Sequence, residues 1–271
     1  MNTERVTLRE EQATMLGTLV GRARDAGRTK PILGDQAAAE AMTRIDYDFD
    51  TFEMDDQMSA AVAVRGKLFD DRVRGFLAQH PDAVVLHLGS GLDTRWQRIA
   101  PGPGVTWYEV DHPGVINLRR RILADETTSH PLIASSVTDP HFLDTVPDGR
   151  PTLVVAEGLT MYLRPETGWA LFTRLGDRFT GEAIIDVFST LGIKLQLTNR
   201  VVRKAGAKLY WGIDDPAAFE RIGLRVLESV EVDRMWGGAA EQLGARTRFQ
   251  LKVAGAVPAF RTLARLLRLE L

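Results

Sequence analysis

A glycine-rich segment that follows an apolar run is the part of the sequence best suited to hold a cofactor. Residues 83–88 (AVVLHL) are rich in β-forming side chains, and Gly89, Ser90 and Gly91 follow them directly. Glycine permits a tight turn and lets the backbone approach a ligand without an intervening Cβ. The pattern is typical of a strand that ends in a nucleotide-type binding loop, although a turn without a ligand has the same sequence.

An acid at the end of the next apolar run supports a nucleoside ligand. Asp111 ends the run 105–111 and lies 20 residues after Gly91. A carboxylate at this place can accept both hydroxyls of a ribose, and each hydrogen bond to a charged group contributes roughly 1.5–3 kcal/mol. Pro113 opens a helix soon afterwards, so Asp111 could instead cap that helix. Ribose binding is the favoured interpretation.

A glycine loop together with such an acid is found in binding sites for two cofactors, a nicotinamide dinucleotide and S-adenosylmethionine. The dinucleotide fingerprint has a third Gly or Ala at the start of the following helix, where it packs closely over a pyrophosphate. Thr94 stands at that place. S-adenosylmethionine has an amino-acid tail instead of a pyrophosphate, so the loop favours a methyl donor. Asp93 or Thr94 is expected to cap the helix after the loop.

These residues need a sheet that brings the ends of several strands together. Strand-like runs alternate with helix-like segments, which predicts βαβ units and a mostly parallel sheet. The predicted strands are 83–88, 105–110, 130–134, 152–156, 182–188, 224–232 and 247–253. Helical spacing of apolar residues predicts helices over 7–26, 36–45, 54–79 and 165–179.

The predicted organisation is one α/β domain over residues 1–271. It comprises an N-terminal helical cap (1–80), a core (81–255) with a helical insertion at 190–213, and a C-terminal helix (256–271). The last segment is basic and amphipathic, so a helix on a membrane surface is the alternative to a packed terminal helix.

Composition excludes several classes of function. The 271 residues are 44% hydrophobic and 26% charged, as in a globular domain, and include no cysteine. Disulfides, thiolate metal sites and a cysteine nucleophile are therefore excluded. The formal net charge of −2 argues against nucleic acid as a partner, because such proteins usually carry a basic face. No signal-like or membrane-spanning segment is recognised, which predicts a cytoplasmic protein that does not enter a membrane.

Three segments together resemble the leucine carboxyl methyltransferase family, in its branch of bacterial polyketide O-methyltransferases. They are LGSGLDTR (88–95), YEVDHP (108–113) and AEGLTMYL (156–163). The resemblance implies a Rossmann-like class I methyltransferase fold, with a mostly parallel seven-stranded sheet, and S-adenosylmethionine as cofactor. It also implies that Gly89, Ser90 and Gly91 line the amino-acid tail of the donor and that Asp111 binds the ribose.

The resemblance assigns further residues to the donor. Glu157 faces the amino group or the sulfonium side of the pocket, Arg65 pairs with the donor carboxylate, and Lys30 assists Arg65. One departure concerns the adenine, where the family usually has Asp-Leu and this chain has Ser136 and Val137. A serine hydroxyl could accept the adenine amino proton without a charge, and Asp139 could partly substitute for the missing acid.

The residues that contact the methyl acceptor are less clearly marked. Tyr162 could orient the acceptor, and Tyr210 and Trp211 lie where the family places a substrate-covering insertion, although core packing is equally compatible with them. No histidine stands out as a base, and no spacing of residues indicates a metal site. A carboxylate acceptor needs no base, whereas a phenol benefits from one.

The favoured function is S-adenosylmethionine-dependent O-methylation of a carboxylate or hydroxyl of a small metabolite, such as a polyketide. A protein C-terminal carboxyl group is the alternative acceptor. A nicotinamide-dependent oxidoreductase is disfavoured by Thr94 and by the lack of a Tyr-x-x-x-Lys pair. A non-catalytic adenosyl-binding module stays open because of Ser136. The sequence leaves the oligomeric state undetermined.

Overall fold

A central sheet organises the chain. A computed structural model describes residues 4–5, 11–123, 130–198, 200–237, 239, 243, 248–249, 252 and 255–271. Two short strands, β1 (Glu4–Arg5) and β2 (Ile45–Asp46), pair with each other. The strands of the central sheet are β3 (Val84–Leu88), β4 (Thr106–Asp111), β5 (Leu132–Ala134), β6 (Thr152–Ala156), β7 (Gly181–Phe188), β8 (Arg225–Glu231) and β9 (Ala264–Glu270).

The order of strands in this seven-stranded sheet is β5-β4-β3-β6-β7-β9-β8. Strands β3 to β7 pair in parallel, and β9 runs antiparallel to both β7 and β8. The carboxyl ends of five neighbouring strands therefore lie along one edge, where open α/β sheets bind their ligands. The predicted Rossmann-like class I fold with a mostly parallel seven-stranded sheet is confirmed.

Helices lie on both sides of the sheet and before it. They are α1 (Glu11–Ala26), α2 (Gln36–Thr43), α3 (Asp56–Gln79), α4 (Arg95–Ile99), α5 (Pro113–Ile122), α6 (Pro165–Arg178), α7 (Thr190–Lys194), α8 (Arg200–Ala205), α9 (Val232–Met235) and α10 (Pro258–Arg261). Helices α1 to α3 lie in the predicted N-terminal cap, and α7 and α8 in the predicted insertion. Within the described ranges, no helix is both long and apolar enough to cross a membrane.

The interior strands are buried on both faces, which explains their continuous apolar runs. On β7, Ala183 and Ile185 face a cluster that includes Phe172 of α6, whereas Ile184 faces a cluster that includes Phe69 of α3. All five of these side chains are fully buried. Burying a side chain of the size of Ile or Phe contributes about 1.5–3 kcal/mol, so α3 and α6 are anchored to opposite faces of the sheet.

The predicted C-terminal helix over 256–271 is wrong for most of that segment. Ala256 and the short α10 (Pro258–Arg261) are helical there, and Ala264–Glu270 forms β9. Leu266 packs on the α3 face of the sheet, while Leu267 and Leu269 pack on the α6 face. A strand between two others needs apolar residues on both faces, and in a short segment this pattern is indistinguishable from an amphipathic helix.

The predicted strand over 247–253 is also wrong where the structure describes it. Arg248, Phe249 and Lys252 are helical, and the other residues of this run lie outside the described ones. The place at the sheet edge is taken by β8, with β9 between it and β7. In the first predicted helix, residues 7–10 also lie outside the described part.

Candidate functional site

A cavity of about 1000 Å³ opens at the carboxyl edge of the sheet. It is lined by residues that follow β3, β4, β5 and β6, including Gly89, Asp111, Ser136 and Glu157, and by Phe188 at the end of β7. Small-molecule sites usually have volumes of about 300–1000 Å³. The cavity therefore has room for a cofactor and a second small molecule side by side.

The glycine loop after β3 needs glycine at both positions. Gly89 and Gly91 have φ angles of 62° and 53°, which L side chains rarely adopt. A Cβ on Gly89 would lie 3.0 Å from Leu159 Cδ1, and a Cβ on Gly91 would lie 3.2 Å from Met15 Cβ. Both positions therefore require glycine, because of their φ angles and because the Leu159 and Met15 side chains leave little room for a Cβ.

Asp111 is held by the backbone at the end of β4. Its Oδ2 accepts the N–H of Gly91 at 2.7 Å, and its Oδ1 accepts the N–H of His112 at 2.7 Å. The N-cap residue of α5 is His112, so Asp111 does not cap this helix. Burial raises the pKa of Asp111, and the two backbone N–H groups oppose that shift. A carboxylate has about four acceptor positions, so both oxygens can still accept hydroxyl groups from the cavity.

Glu157 lies between two guanidinium groups just after β6. Arg65 of α3 donates Nε–H to Glu157 Oε1 at 2.8 Å, and Arg95 of α4 donates from Nη2 to Oε2 at 2.5 Å. Burial alone would raise the pKa of Glu157, but the two arginines outweigh it and lower the pKa. Glu157 is therefore a fixed, ionised acceptor at the cavity wall.

Sequence reasoning missed Asp186, which lies on β7 next to this group. Its Oδ1 accepts the Gly158 N–H at 2.7 Å, and its Oδ2 lies 3.3 Å from Arg65 Nη1. An acid inside the apolar run EAIIDVF was the available signal, because a buried carboxylate normally has a partner. Arg65 binds Glu157 through Nε and Asp186 through Nη1. Because arginine has five N–H donors, further donors of Arg65 remain for a ligand.

The expected side-chain cap of the helix after the loop does not form. Thr94 is the N-cap residue of α4 but makes no side-chain capping bond. Its hydroxyl instead donates to the buried carboxylate of Asp35, 2.6 Å from Oδ1. Asp35 also pairs with Arg98 at 2.7 Å and Arg22 at 3.1 Å. These contacts tie the glycine loop to the N-terminal helices, which no local pattern could indicate.

Ser136 and Val137 both line the cavity after β5. The Ser136 hydroxyl lies 2.8 Å from Thr138 Oγ1, and Thr138 is a further lining residue. Asp139 does not substitute for the missing acid, since it is not among the lining residues and its carboxylate caps a 3-10 turn through the His141 N–H at 3.0 Å.

Another part of the cavity wall is largely apolar. Tyr162 and Tyr210, the two tyrosines predicted to contact the acceptor, both line the cavity there. Tyr210 is 40% exposed, and Arg164 Cζ lies 5.1 Å from the centroid of its ring. The other apolar residues of this wall follow β6, end β7 or belong to the insertion: Met161, Leu163, Phe188, Val202 and Leu209.

Two predicted site residues lie elsewhere. Trp211 is 3% exposed and packs edge-on against Trp169 in the core, with a ring distance of 4.9 Å, so its predicted contact with substrate is wrong. Lys30 is exposed and does not line the cavity, so its predicted role beside Arg65 is not supported by the structure. Among the described residues, no group of three or more potential ligands could hold a metal ion.

The residues around the cavity suit the parts of S-adenosylmethionine. The glycine loop borders the cavity with backbone that carries no Cβ at Gly89 and Gly91, and Asp111 offers acceptors for two hydroxyls. Glu157 offers a carboxylate for a cationic group, while Arg65 offers donors for an anionic one. A zwitterionic amino acid needs partners of both charges, so Glu157 and Arg65 together fit the amino-acid tail of this cofactor.

Comparisons with known proteins agree with this geometry. The family model for leucine carboxyl methyltransferase matches residues 16–176. Tetracenomycin polyketide synthesis O-methyltransferase TcmP of Streptomyces glaucescens is 41% identical over 228 residues, which are 83% of this chain and 84% of that protein. The S-adenosyl-L-methionine-dependent methyltransferase dpfgK of Gibberella zeae is 33% identical and covers 80% of each chain.

A solved structure shows the same fold at low sequence identity. A candidate methyltransferase of Thermobifida fusca YX has a TM-score of 0.55 and 18% identity, and the match covers 93% of this chain and 94% of that one. The two sequence relatives and the family model together establish the enzyme class and its cofactor. The chain therefore belongs to the leucine carboxyl methyltransferase family and is an S-adenosylmethionine-dependent methyltransferase.

Proposed function

We propose that the protein methylates an oxygen atom, in a carboxylate or a hydroxyl, of a small metabolite such as a polyketide. The observation that carries this proposal is that one cavity joins the glycine loop to an apolar wall with Tyr210 at its rim. A flat or apolar acceptor can pack there beside the donor. The similarity to TcmP, whose name describes an O-methyltransferase of polyketide synthesis, supports the same class of acceptor.

In this proposal the donor lies along the carboxyl ends of β3, β4, β5 and β6. Gly89, Ser90 and Gly91 border its amino-acid tail, and Asp111 accepts the ribose hydroxyls. Ser136 and Val137 lie at the adenine. When bound, S-adenosylmethionine supplies a methyl group on a positively charged sulfur.

The opposite charges of Glu157 and Arg65 would bind the two ends of the donor's amino acid. Glu157 is held ionised by Arg65 and Arg95, so it accepts hydrogen bonds from an ammonium group. Arg65 donates to the carboxylate of the donor with those of its N–H groups that do not bind Glu157 or Asp186. Fixing the donor in this way contributes to catalysis, because methyl transfer depends on alignment of the two reactants.

Tyr162 is the proposed positioning group for the acceptor. It lines the cavity and lies close enough to Arg65 to interact with it electrostatically. A carboxylate acceptor is already ionised near neutral pH and needs no base from the protein. A hydroxyl acceptor would have to lose its proton to a base, and we assign Tyr162 only the positioning of the acceptor, not this proton transfer.

Two measurements test the proposal. Thermal unfolding with S-adenosylhomocysteine should show stabilisation of about 2.7 kcal/mol at 100 times the dissociation constant, whereas NAD should have no effect. Methyl transfer should then be measured on aromatic polyketide acids, their phenolic analogues and a peptide that ends in leucine. Turnover of the peptide alone would assign the enzyme to protein carboxyl groups. Donor binding without turnover of any acceptor would favour a non-catalytic module.

A further inference from the structure

The two polar backbone groups of Gly91 are held by Asp111 directly and by Arg119, which Glu109 anchors. Asp111 accepts the Gly91 N–H at 2.7 Å. Glu109, two positions earlier on β4, accepts from Arg119 of α5, and Arg119 Nη1 donates to the Gly91 carbonyl at 3.1 Å. Side chains at alternate positions of a strand point to the same face, so both acids lie on one face of the sheet. The backbone of Gly91 is thus fixed on both its N–H and its C=O side.

The pair of Glu109 and Arg119 is buried completely. Both residues have 0% exposure. Arg119 Nη2 lies 2.8 Å from Glu109 Oε1, and Arg119 Nε contacts Oε2. Burying a charge costs several kcal/mol for each ion, and replacing a buried ion pair with apolar residues is often neutral or stabilising. Stability alone therefore does not explain the pair, and its third contact, to the Gly91 carbonyl, becomes the informative one.

Two histidines complete the surroundings of Glu109. His130 Nε2 lies 3.4 Å and His87 Nδ1 lies 3.8 Å from Glu109 Oε1. Burial alone would raise the pKa of Glu109, but Arg119 and then these histidines outweigh it and lower the pKa to about 2. Glu109 is consequently ionised near neutral pH, and Arg119 stays anchored.

We propose that Arg119, anchored by Glu109, is a positioning residue for the methyl donor. By holding the Gly91 carbonyl it keeps the loop in the conformation in which the Gly91 N–H meets Asp111. Asp111 is then presented to the ribose in one orientation, without reorganisation of the loop when the donor binds. This role rests on the proposed function, in which Asp111 and Gly91 contact the donor.

The test replaces the charged pair with an apolar pair of similar size, E109L/R119M. A matched control is R72M/E228L, because Arg72 and Glu228 also form a forked ion pair, at 2.9 and 2.7 Å, with no residue of the glycine loop among their hydrogen-bond partners in the described structure. For both variants we would measure the free energy of unfolding and the Kd of S-adenosylhomocysteine by titration calorimetry.

We expect E109L/R119M to fold and to bind S-adenosylhomocysteine at least tenfold more weakly than the wild type, while R72M/E228L keeps the wild-type Kd. A stable E109L/R119M protein with the wild-type Kd would overturn the proposal. If that variant does not fold, the R119K variant tests the proposal instead. Lysine keeps the positive charge but cannot make two contacts with Glu109 and one with Gly91 at the same time. We expect R119K to raise the Kd and the KM for the donor with kcat unchanged, and an unchanged Kd would overturn the proposal.

The same experiment separates this proposal from the proposed function. Failure of the wild-type protein to bind S-adenosylhomocysteine would refute the donor site as a whole. Wild-type binding together with full binding by the variants would refute only the role of Arg119.

Discussion

Arg95 Nη2 lies 2.5 Å from Glu157 Oε2, so the helix after the glycine loop directly holds the acid that follows β6. The same guanidinium binds Asp70 of α3 and Asp93 of the loop, each at 2.8 Å. Burial opposes the charge of Arg95, but these three carboxylates outweigh it and raise its pKa. One fully buried arginine therefore connects three parts of the chain that border the donor site.

Removing the Arg95 side chain should destabilise the fold, because three buried acids lose the cation that they share. We expect Arg95→Met to lower the free energy of unfolding by about 3–5 kcal/mol, as for other broken buried ion pairs. Chemical denaturation followed by circular dichroism measures this change. The control is Lys67→Met, since Lys67 pairs with Asp71 on the exposed side of α3, and we expect a change within about 0.5 kcal/mol. Equal effects of the two substitutions would contradict the interpretation.

Asp111 should contribute to donor affinity more than to folding. We expect Asp111→Ala to weaken S-adenosylhomocysteine binding by roughly tenfold or more, which corresponds to about 1.4 kcal/mol or more. Asp111→Asn should fall between the alanine variant and the wild type, because an amide keeps one acceptor oxygen. Calorimetric titration provides the Kd values. A wild-type Kd in the alanine variant would show that Asp111 only holds the loop.

The conformation of Gly91 predicts opposite effects at two glycines. Gly91→Ala places a Cβ 3.2 Å from Met15 Cβ on a backbone with a φ of 53°. We expect a loss of about 1–2 kcal/mol of stability and weaker donor binding. Gly75 lies exposed in α3, and a Cβ there meets no atom within 4 Å. Gly75→Ala should stabilise the protein by about 0.5–1 kcal/mol with an unchanged Kd for the donor. Thermal unfolding and ligand titration of both variants test this contrast.

The neighbours Tyr210 and Trp211 should respond differently to truncation. Trp211 packs on Gly168, where an added Cβ would lie 2.1 Å from its ring. We expect Trp211→Ala to cost about 3–5 kcal/mol of stability. Tyr210→Ala should instead raise the KM for the acceptor several-fold and leave the Kd of the donor unchanged. Steady-state kinetics at saturating donor, together with denaturation, distinguishes the two. An acceptor KM that responds only to Trp211→Ala would reverse this assignment.

The lowered pKa of Glu109 predicts that the folded protein loses stability in acid. Its pKa is lowered from 4.5 to about 2 in the folded protein. A group whose pKa is lower in the folded state stabilises the fold when it is ionised in both states, here above pH 4.5. This contribution of about 3 kcal/mol is lost as the pH falls from 4.5 towards 2. The free energy of unfolding between pH 5 and 3 should therefore fall more steeply in the wild type than in E109L/R119M. Parallel curves for the two proteins would contradict the prediction.

Much of the fold and of the donor site follows from local sequence patterns. Gly89, Gly91 and Asp111 could be selected because a buried strand, a glycine turn and an acid after the next strand are all short-range features. The parallel sheet followed from apolar runs that alternate with helical segments. These patterns reflect backbone sterics and periodic burial, which depend on neighbouring residues in the chain.

Contacts between distant residues were decided only by the tertiary structure. The partners of Glu157 are Arg65 and Arg95, 92 and 62 positions away, and Arg119 reaches the Gly91 carbonyl 28 positions away. The segment that forms β9 has leucines that suit a helix as well as a strand, and only its place between β7 and β8 buries both faces. Local propensity is weak compared with such burial, so the sequence determined the donor loop and the fold class. Packing determined which charges meet there and which aromatic residue, Tyr210 or Trp211, faces the cavity.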